Sequence, residues 1–511
     1  MTPESLVRTL EEFLSEARDA VVLEDGEPLF DLANARYSVT AEQGKCLLHL
    51  WSEERNAVRR VLDAEAARGV LRLSVQRFGR TRPGQMEICR ERDRRPPSAK
   101  KAARAAYLRR LRRLLERNFS EFKVDRLSTA ADLEHSFGPI YTRGLLRRGR
   151  SAFAVLGVNA QEAQTSIDAA LAFGLLWLEL CRERAAGRAV VAGLKLFLPA
   201  GSAAVARERM AHLDRQAAKF QLFEVGERED AVEEVDTADR GNIATRLVRC
   251  PDQAAARERF GAEVARVLAL EPEAEVAVLS SADVSFRLRG LEFARARLAQ
   301  QSGSFRNAPE LVFGVGAEEQ VLGPANAAEF EALLQALAQA RHARGRREHP
   351  LWRMRPERWL ESLAVQDVSR LDSSLDPSCV YSQVPAFAAG DRAMIDVLAA
   401  TRQGRLAVVE LKADEDIHLP LQGLDYWARV WWHHQRGEFQ KFGYFPGREL
   451  SAQPPLLLLV APALRVHPAT DILLRYLSPE IDCTLLGIDE RWREGVRVVF
   501  RKRRSAPSTV D

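Results

Sequence analysis

The apolar residues of this chain change period several times, and each change predicts an element. Glu4 to Ala20 is acidic and amphipathic at helical spacing, which predicts a first helix. Ala35 to Trp51 carries apolar residues on either side of Gln43-Gly44, a hairpin signal. Val58, Val61, Leu62 and Ala66 keep helical spacing up to Gly69, and Val70 to Phe78 then alternates like a strand with Leu71, Leu73 and Val75 on one face. Residues 1–95 therefore read as a mixed α+β domain. Pro96-Pro97 breaks any helix before Ser98 caps a new one from Lys100 to Phe119, whose apolar stripe is Tyr107, Leu108, Leu111, Leu114 and Leu115. Residues 96–150 read as a basic helical linker region.

From Ser151 the period becomes α/β: a strand (Phe153 to Val158), a long apolar helix (Ala160 to Ala185), a strand (Ala189 to Leu198), a helix (Ala203 to Lys219) and a strand (Phe220 to Val225). Helices between strands at this spacing imply a parallel sheet. Gly226 to Asp230 is acidic and loop-like, and Ala254 to Leu270 is helical; together they read as a connector. Val276 to Leu288 and Leu311 to Val315 read as strands, with Arg287, Arg289, Arg295 and Arg297 around Gly290. Asn326 and Glu329 form a capping-box pattern for a helix from Ala327 to about Arg344. Residues 151–345 make an α/β middle region and 346–511 a last domain. There, strands are expected around Asp396, over the apolar segment Gly404 to Lys412, and at Leu456 to Val460, Cys483 to Ile488 and Val496 to Phe500. Helices are expected at Arg355 to Leu363, around Gln422 and Tyr426, and at Ala469 to Leu477. The tail Arg501-Lys502-Arg503-Arg504 reads as frayed.

Composition narrows this picture only slightly. At 511 residues the chain exceeds one core and implies roughly two to four domains. A net charge of +4 is mild, so any nucleic-acid surface must be local. The six cysteines (Cys46, Cys89, Cys181, Cys250, Cys379, Cys483) have no CxxC spacing, which argues for reduced thiols and against a zinc site or a disulfide framework. His433-His434 is read as the wet end of its helix, and Trp427, Trp431 and Trp432 as packing, with Trp431 or Trp432 able to stack on a base if exposed. The N-terminus lacks a signal-peptide order, and the most apolar helix, Ala169 to Cys181, is too short for a bilayer and is interrupted by Glu179. The expectation is a cytoplasmic protein with no membrane partner.

The chemistry concentrates between Ser382 and Trp427. Side chains alternate along a strand, so Val408, Glu410 and Lys412 share a face. If Thr401 and Arg405 close a three-residue loop with Gly404 left-handed, Asp396 falls opposite Glu410; a two-residue loop would put them on opposite faces. Two carboxylates with water in the remaining positions suit Mg²⁺ or Mn²⁺. Only nine of the 75 basic residues are lysines, yet a lysine stands at 412, where a compact ammonium differs chemically from a guanidinium.

The order Asp396, Glu410-Leu411-Lys412, then Gln422 and Tyr426 as QxxxY, resembles the PD-(D/E)XK nuclease superfamily and its RecB-like branch, from about Arg355 to Val499. Ile395 stands where the family name implies proline. The resemblance implies an α/β (α+β multidomain) chain ending in a restriction-endonuclease-like mixed sheet flanked by helices. It implies metal ligation by Asp396, Glu410 and the Leu411 carbonyl, a catalytic Lys412, and Gln422 and Tyr426 bracing the site or touching nucleic acid. A glutamate on the preceding helix is Glu357 or Glu361; Glu361 is preferred because it sits among Trp359, Leu360 and Leu363. The expected activity is Mg²⁺- or Mn²⁺-dependent endo- or exonucleolytic hydrolysis of DNA. RNA, a homodimer, and a role in repair, recombination or defence are left open. A catalytically inactive binding module or scaffold is the alternative. Lys101, Arg104, Arg109, Arg112 and Arg113 read either as a face along a phosphate backbone or as a solvated surface, and the cluster Arg143, Arg147, Arg148 and Arg150 carries the same two readings. Gly193-Leu194-Lys195 mimics the x-x-K pattern without a carboxylate, so Lys195 is read as structural. The residues leave open a degenerate copy of the fold there, although no sequence repeat is visible.

Overall fold

The structure, a computed structural model, describes residues 2–15, 20–24, 27–32, 36–42, 44–51, 56–67, 70–77, 83–89, 97–132, 134–226, 231–240, 243, 245–300, 307–315, 319–388 and 394–504. They form a mixed α/β protein with four sheets, divided into two compact units. One unit is Met1–Ala103 with Gln161–Ala163; the other is Arg104–Ala160 with Gln164–Asp511.

In the first unit the helix Pro3–Ser15 packs Leu6, Leu10, Phe13 and Leu14 into the core of a seven-stranded antiparallel sheet. Ala20 lies beyond that helix, and residues 16–19 lie outside the described ones. The hairpin around Gly44 pairs Arg36–Glu42 with Lys45–Trp51. Asn56–Ala67 is a twelve-residue strand rather than a helix. It is hydrogen-bonded on both edges, with Val61 between Cys46 and Val75, and this two-sided pairing overrides its helical spacing of apolar residues. The charge run from Arg90 to Pro96 lies outside the described residues, and the next helix starts at Pro97, where a missing N–H costs nothing.

The second unit holds three sheets. Lys123–Ser128, Tyr141–Arg148 and Ser151–Val158 form an antiparallel meander. Val190–Pro199 and Lys219–Val225 continue parallel to it, and Val232–Val235 closes the edge antiparallel. The predicted parallel sheet is thus only its centre. The long helix is broken at Ala169 into Gln164–Asp168 and Ala170–Ala185. The following helix stops at Met210 instead of Lys219, because His212 and Asp214 turn their backbones to Ser478 and Tyr476. Helix Pro97–Asn118 packs Tyr107, Leu111, Leu114 and Leu115 on the face bearing Val155, Phe197 and Phe223, while helix Ala170–Ala185 covers the opposite face. Lys195, read from the sequence only as structural, is buried, its ammonium 4.4 Å and 4.8 Å from the Phe119 and Phe153 ring centres.

The C-terminal sheet orders its strands Thr245–Leu247, Leu375–Ala388, Met394–Thr401, Leu406–Leu411, Leu456–Pro462, Asp482–Ile488 and Val498–Arg503. The first four are antiparallel, the three from Leu406 to Ile488 parallel, and the last antiparallel. The connector therefore supplies an edge strand to each sheet, Val232–Val235 to one and Thr245–Leu247 to the other. The basic tail is ordered: Arg501 binds Asp372 at 2.9 Å, and Arg503 pairs with Thr484. Helices Leu419–Gln435 and Thr470–Arg475 cover the face that shares one core with the six-stranded sheet. Helix Pro356–Gln366 covers the other face with Trp359, Leu360 and Ala364.

Between them in sequence, the strands from Glu275 to Val321 form a five-stranded antiparallel sheet with a core of its own. Val276 to Leu288 is a hairpin turning at Ser281-Ala282, and the sequence reading missed the strand Leu291–Gln300 that follows. Arg289, Arg295 and Arg297 are ion-paired with Glu273, Glu292 and Glu310. Asn326 forms no cap; its Oδ1 accepts from the Gly323 N–H, and the helix ends at Ala340. Gly290 has φ +73°, and a Cβ there would lie 1.9 Å from the Arg358 carbonyl oxygen, so only glycine lets this turn seat against helix Pro356–Gln366.

Candidate active site

Gly404 sets the register on which the site depends. Thr401 donates to the Arg405 carbonyl at 2.7 Å and Gly404 to the Thr401 carbonyl at 2.9 Å, closing Arg402-Gln403-Gly404 as a three-residue loop with Gly404 at φ +81°. Val397 then pairs with Val409 and Leu398 with Val408. One step further along this ladder Asp396 faces Glu410, on the same side of the sheet as Leu398, Ala400 and Val408. The Leu411 N–H donates to Asp396 Oδ2 at 3.2 Å.

This face is dry. Glu410 is 2 % exposed, and burial followed by the neighbouring Asp396 pushes its carboxyl well above the ordinary range. Burial raises Asp396 as well, against the Leu411 N–H and the charges of Arg358 and Lys412. Lys412 Nζ lies 3.5 Å from Glu410 Oε1 and 3.7 Å from both Glu357 and Asp416. Burial opposes its charge, but Glu410, Glu357, Asp416 and Asp396 outweigh that and hold the ammonium above its usual range. Glu410 Oε2 is buried without a hydrogen-bond partner. An orphaned carboxylate oxygen beside a second raised carboxyl is the donor chemistry of a hard divalent cation. Among the described residues no cluster of three or more acidic, His or Cys side chains adds to this pair.

The folded, metal-free protein therefore holds a proton on Glu410 more tightly than the unfolded chain does. Stability is full below the unfolded carboxyl's pKa and falls as pH rises towards the elevated folded value. Glu410→Gln removes that slope, so at pH 8 the metal-free variant is expected to melt higher than the wild type, each pKa step being worth about 1.4 kcal/mol. At pH 5 the two converge. Thermal melts in EDTA across this range test it, and parallel profiles would contradict the assignment.

Glu361 is 4 % exposed and faces the same region, bonded to Arg358 at 2.6 Å and to Gln383 at 3.2 Å. Glu357, half exposed, lies nearer Lys412. Arg358 Nη1 is also 3.9 Å from Asp396 Oδ1. Sequence reasoning passed over Arg358 and Gln383. Gln383 lies within the strand Leu375–Ala388 at φ +51°, and no sequence signal marks a left-handed glutamine in a strand.

Helix Leu419–Gln435 crosses directly over Glu410. A Cβ on Gly423 would lie 2.5 Å from Leu459 Cδ2 and 3.7 Å from Glu410 Cβ, so glycine allows the close approach. Gln422 Oε1 is buried without a partner, and burial together with Glu410 and Asp396 pushes the Tyr426 hydroxyl up. Arg209 binds Asp425, the residue before Tyr426, through Nε and Nη2 at 2.9 Å and 2.8 Å. No local pattern signals this brace, because its partners are 216 positions apart. His433 is buried, not wet, and bonds Thr245 and Glu438. Trp427 is buried as expected, its indole N–H donating to Pro455.

The structure thus brings Asp396, Glu410, Lys412, Glu361, Gln422 and Tyr426 to one end of one sheet. It does not bring the basic helix there: Arg104, Arg109, Arg112 and Arg113 lie on a helix covering the far face of the six-stranded sheet. In the second cluster Arg143 is buried, while Arg147, Arg148 and Arg150 are exposed. No described helix is long and apolar enough to cross a membrane. All six cysteines are free. Scans of protein-family models, of curated proteins and of solved structures find no match to this chain.

Proposed function

We propose that this protein is a metal-dependent nuclease that hydrolyses DNA phosphodiester bonds, its C-terminal domain being a RecB-like member of the PD-(D/E)XK superfamily. The observation that carries this reading is the pairing of Asp396 against Glu410 on one buried face, with the Lys412 ammonium 3.5 Å from Glu410. Asp396, Glu410 and the Leu411 carbonyl would hold Mg²⁺ or Mn²⁺. When bound, the ion lowers the pKa of a coordinated water and offsets charge on the phosphoryl and leaving 3′ oxygens.

The chain's own residues do the rest. Lys412 orients the attacking water and offsets charge developing on the phosphate. Glu361, itself bonded by Gln383, holds Arg358 close to Asp396, and Gln422 and Tyr426 line the helix side of the site. In the net reaction the water oxygen bonds to phosphorus and the P–O3′ bond breaks. The two water protons are divided between the 3′ hydroxyl and the new 5′-phosphate. The basic face of helix Pro97–Asn118, with Lys101, Arg104, Arg109, Arg112 and Arg113, is proposed to follow a phosphate backbone.

The test is cleavage of labelled single-stranded, duplex and branched DNA with Mg²⁺ or Mn²⁺. Cutting is expected to require both the metal and Asp396, vanishing in EDTA and in Asp396→Ala. Failure of the folded, metal-loaded protein to cut any DNA or RNA would favour the non-catalytic binding module.

A further inference from the structure

Apart from the short helices Gln164–Asp168 and Glu438–Lys441, the 3-10 turns and the added edge strand Thr245–Leu247, the six-stranded sheet and the C-terminal sheet have the same element order. Helix Pro97–Asn118 precedes three antiparallel strands, a helix (Ala170–Ala185), a parallel strand, a helix (Ala204–Met210), a parallel strand and an antiparallel edge. Helix Pro356–Gln366 precedes the same series, with Leu419–Gln435 and Thr470–Arg475 as its two crossover helices. In both, the leading helix covers one face and the crossover helices the other.

The two series also meet reciprocally. The first crossover helix of each packs against the second of the other: Ala170–Ala185 against Thr470–Arg475, and Leu419–Gln435 against Ala204–Met210. Just beyond the two second helices, Leu213 and Leu477 form an antiparallel bridge; Asp214 N–H donates to Tyr476 and Ser478 N–H to His212, both at 2.8 Å. Each side gives what it receives, as in an isologous interface.

Ladder ends align the positions. The last parallel pair after the meander is Leu411 with Val460 in one sheet and Gly157 with Phe197 in the other. Counting back one sets Leu156 at the place of Glu410; its antiparallel partner Arg143 takes the place of Asp396, and Val158 that of Lys412. The helix glycines agree. A Cβ on Gly174 would meet Leu194 at 2.8 Å, and one on Gly423 would meet Leu457, the equivalent leucine, at 3.1 Å. Gln422 and Tyr426 then match Phe173 and Trp177. The Arg143 guanidinium lies 4.5 Å from the Phe137 ring centre and 5.5 Å from that of Trp177, filling the space with a packed cation.

We infer that residues 97–235 and 356–503 are two copies of one unit related by a local two-fold axis at the Leu213–Leu477 bridge, and that only the second holds a hydrolytic centre. Resting on the nuclease reading, this makes the protein a single-strand cutter. A two-fold pair of centres can address both strands of a duplex, whereas one centre consumes one water and breaks one P–O3′ bond per engagement.

Two measurements on the full chain test this. Mn²⁺ titration followed by electron paramagnetic resonance is expected to show binding that disappears entirely in the folded Asp396→Ala/Glu410→Ala variant; a tight site surviving there would overturn the single centre. On supercoiled plasmid, nicked circles are expected to accumulate first, with linear DNA appearing only after a lag. Linear product at the earliest times would overturn the one-cut inference while supporting the nuclease. No cutting by the Mn²⁺-loaded protein would reject the nuclease reading and single-strand cutting with it, and the Mn²⁺ titration still decides between one centre and two.

Discussion

Lys412→Ala is expected to lower DNA cleavage by about 10³-fold, the loss seen when one preorganised donor is taken from a charge-developing transition state. Its ammonium is mostly buried and faces Glu410, Glu357 and Asp416, so it sits inside the site rather than on an exposed surface. Binding of labelled DNA, read by fluorescence anisotropy in Ca²⁺, is therefore expected to change little. Lys412→Arg is expected not to restore activity, because a planar guanidinium cannot occupy the point between three carboxylates that an ammonium fills. Equal losses of binding and cutting would show that Lys412 anchors the nucleic acid instead.

The second large effect is structural. Arg341 is fully buried and donates to the carbonyls of Leu288, Arg289, Leu351 and Met354, with its guanidinium 4.8 Å from the Trp359 ring centre. It ties the five-stranded sheet's hairpin to the chain leading into helix Pro356–Gln366. Burial, then Arg493, pushes its pKa down to about 10, still charged at neutral pH. Arg341→Met keeps much of the volume but leaves four carbonyls without their donor, and is expected to cost about 3–5 kcal/mol. Urea unfolding monitored by tryptophan fluorescence measures this. A cost under about 1 kcal/mol would mean that water or a backbone shift replaces the guanidinium.

Legibility in the sequence followed the range of the interactions. The register between Asp396 and Glu410 was readable because it is local: a glycine suited to the left-handed position and a two-residue alternation fix it within 15 positions. The burial of Tyr107, Leu111 and Leu114 was readable from a 3.6-residue period for the same reason. Asn56–Ala67 was not, because its helical spacing of apolar residues is a local preference that two partner strands override. The tail around Arg501 looked free because its partner Asp372 lies 129 positions away. His433 looked wet because Thr245, from the connector, closes over it.

The sequence by itself determined the composition of the candidate site, the alternation that gathers its side chains on one face, and the turn that sets its register. All of these act over a few residues through backbone geometry and side-chain shape. Only the tertiary structure decided that Glu410 is dry enough to keep its carboxyl raised, that Arg209 grips the helix bearing Tyr426, and that residues 97–235 pack reciprocally against 356–503 with Arg143, Leu156 and Val158 at the ladder positions of Asp396, Glu410 and Lys412. Those outcomes depend on desolvation and on pairings between distant segments, and the free energy of each is set by neighbours that no stretch of the chain carries within itself.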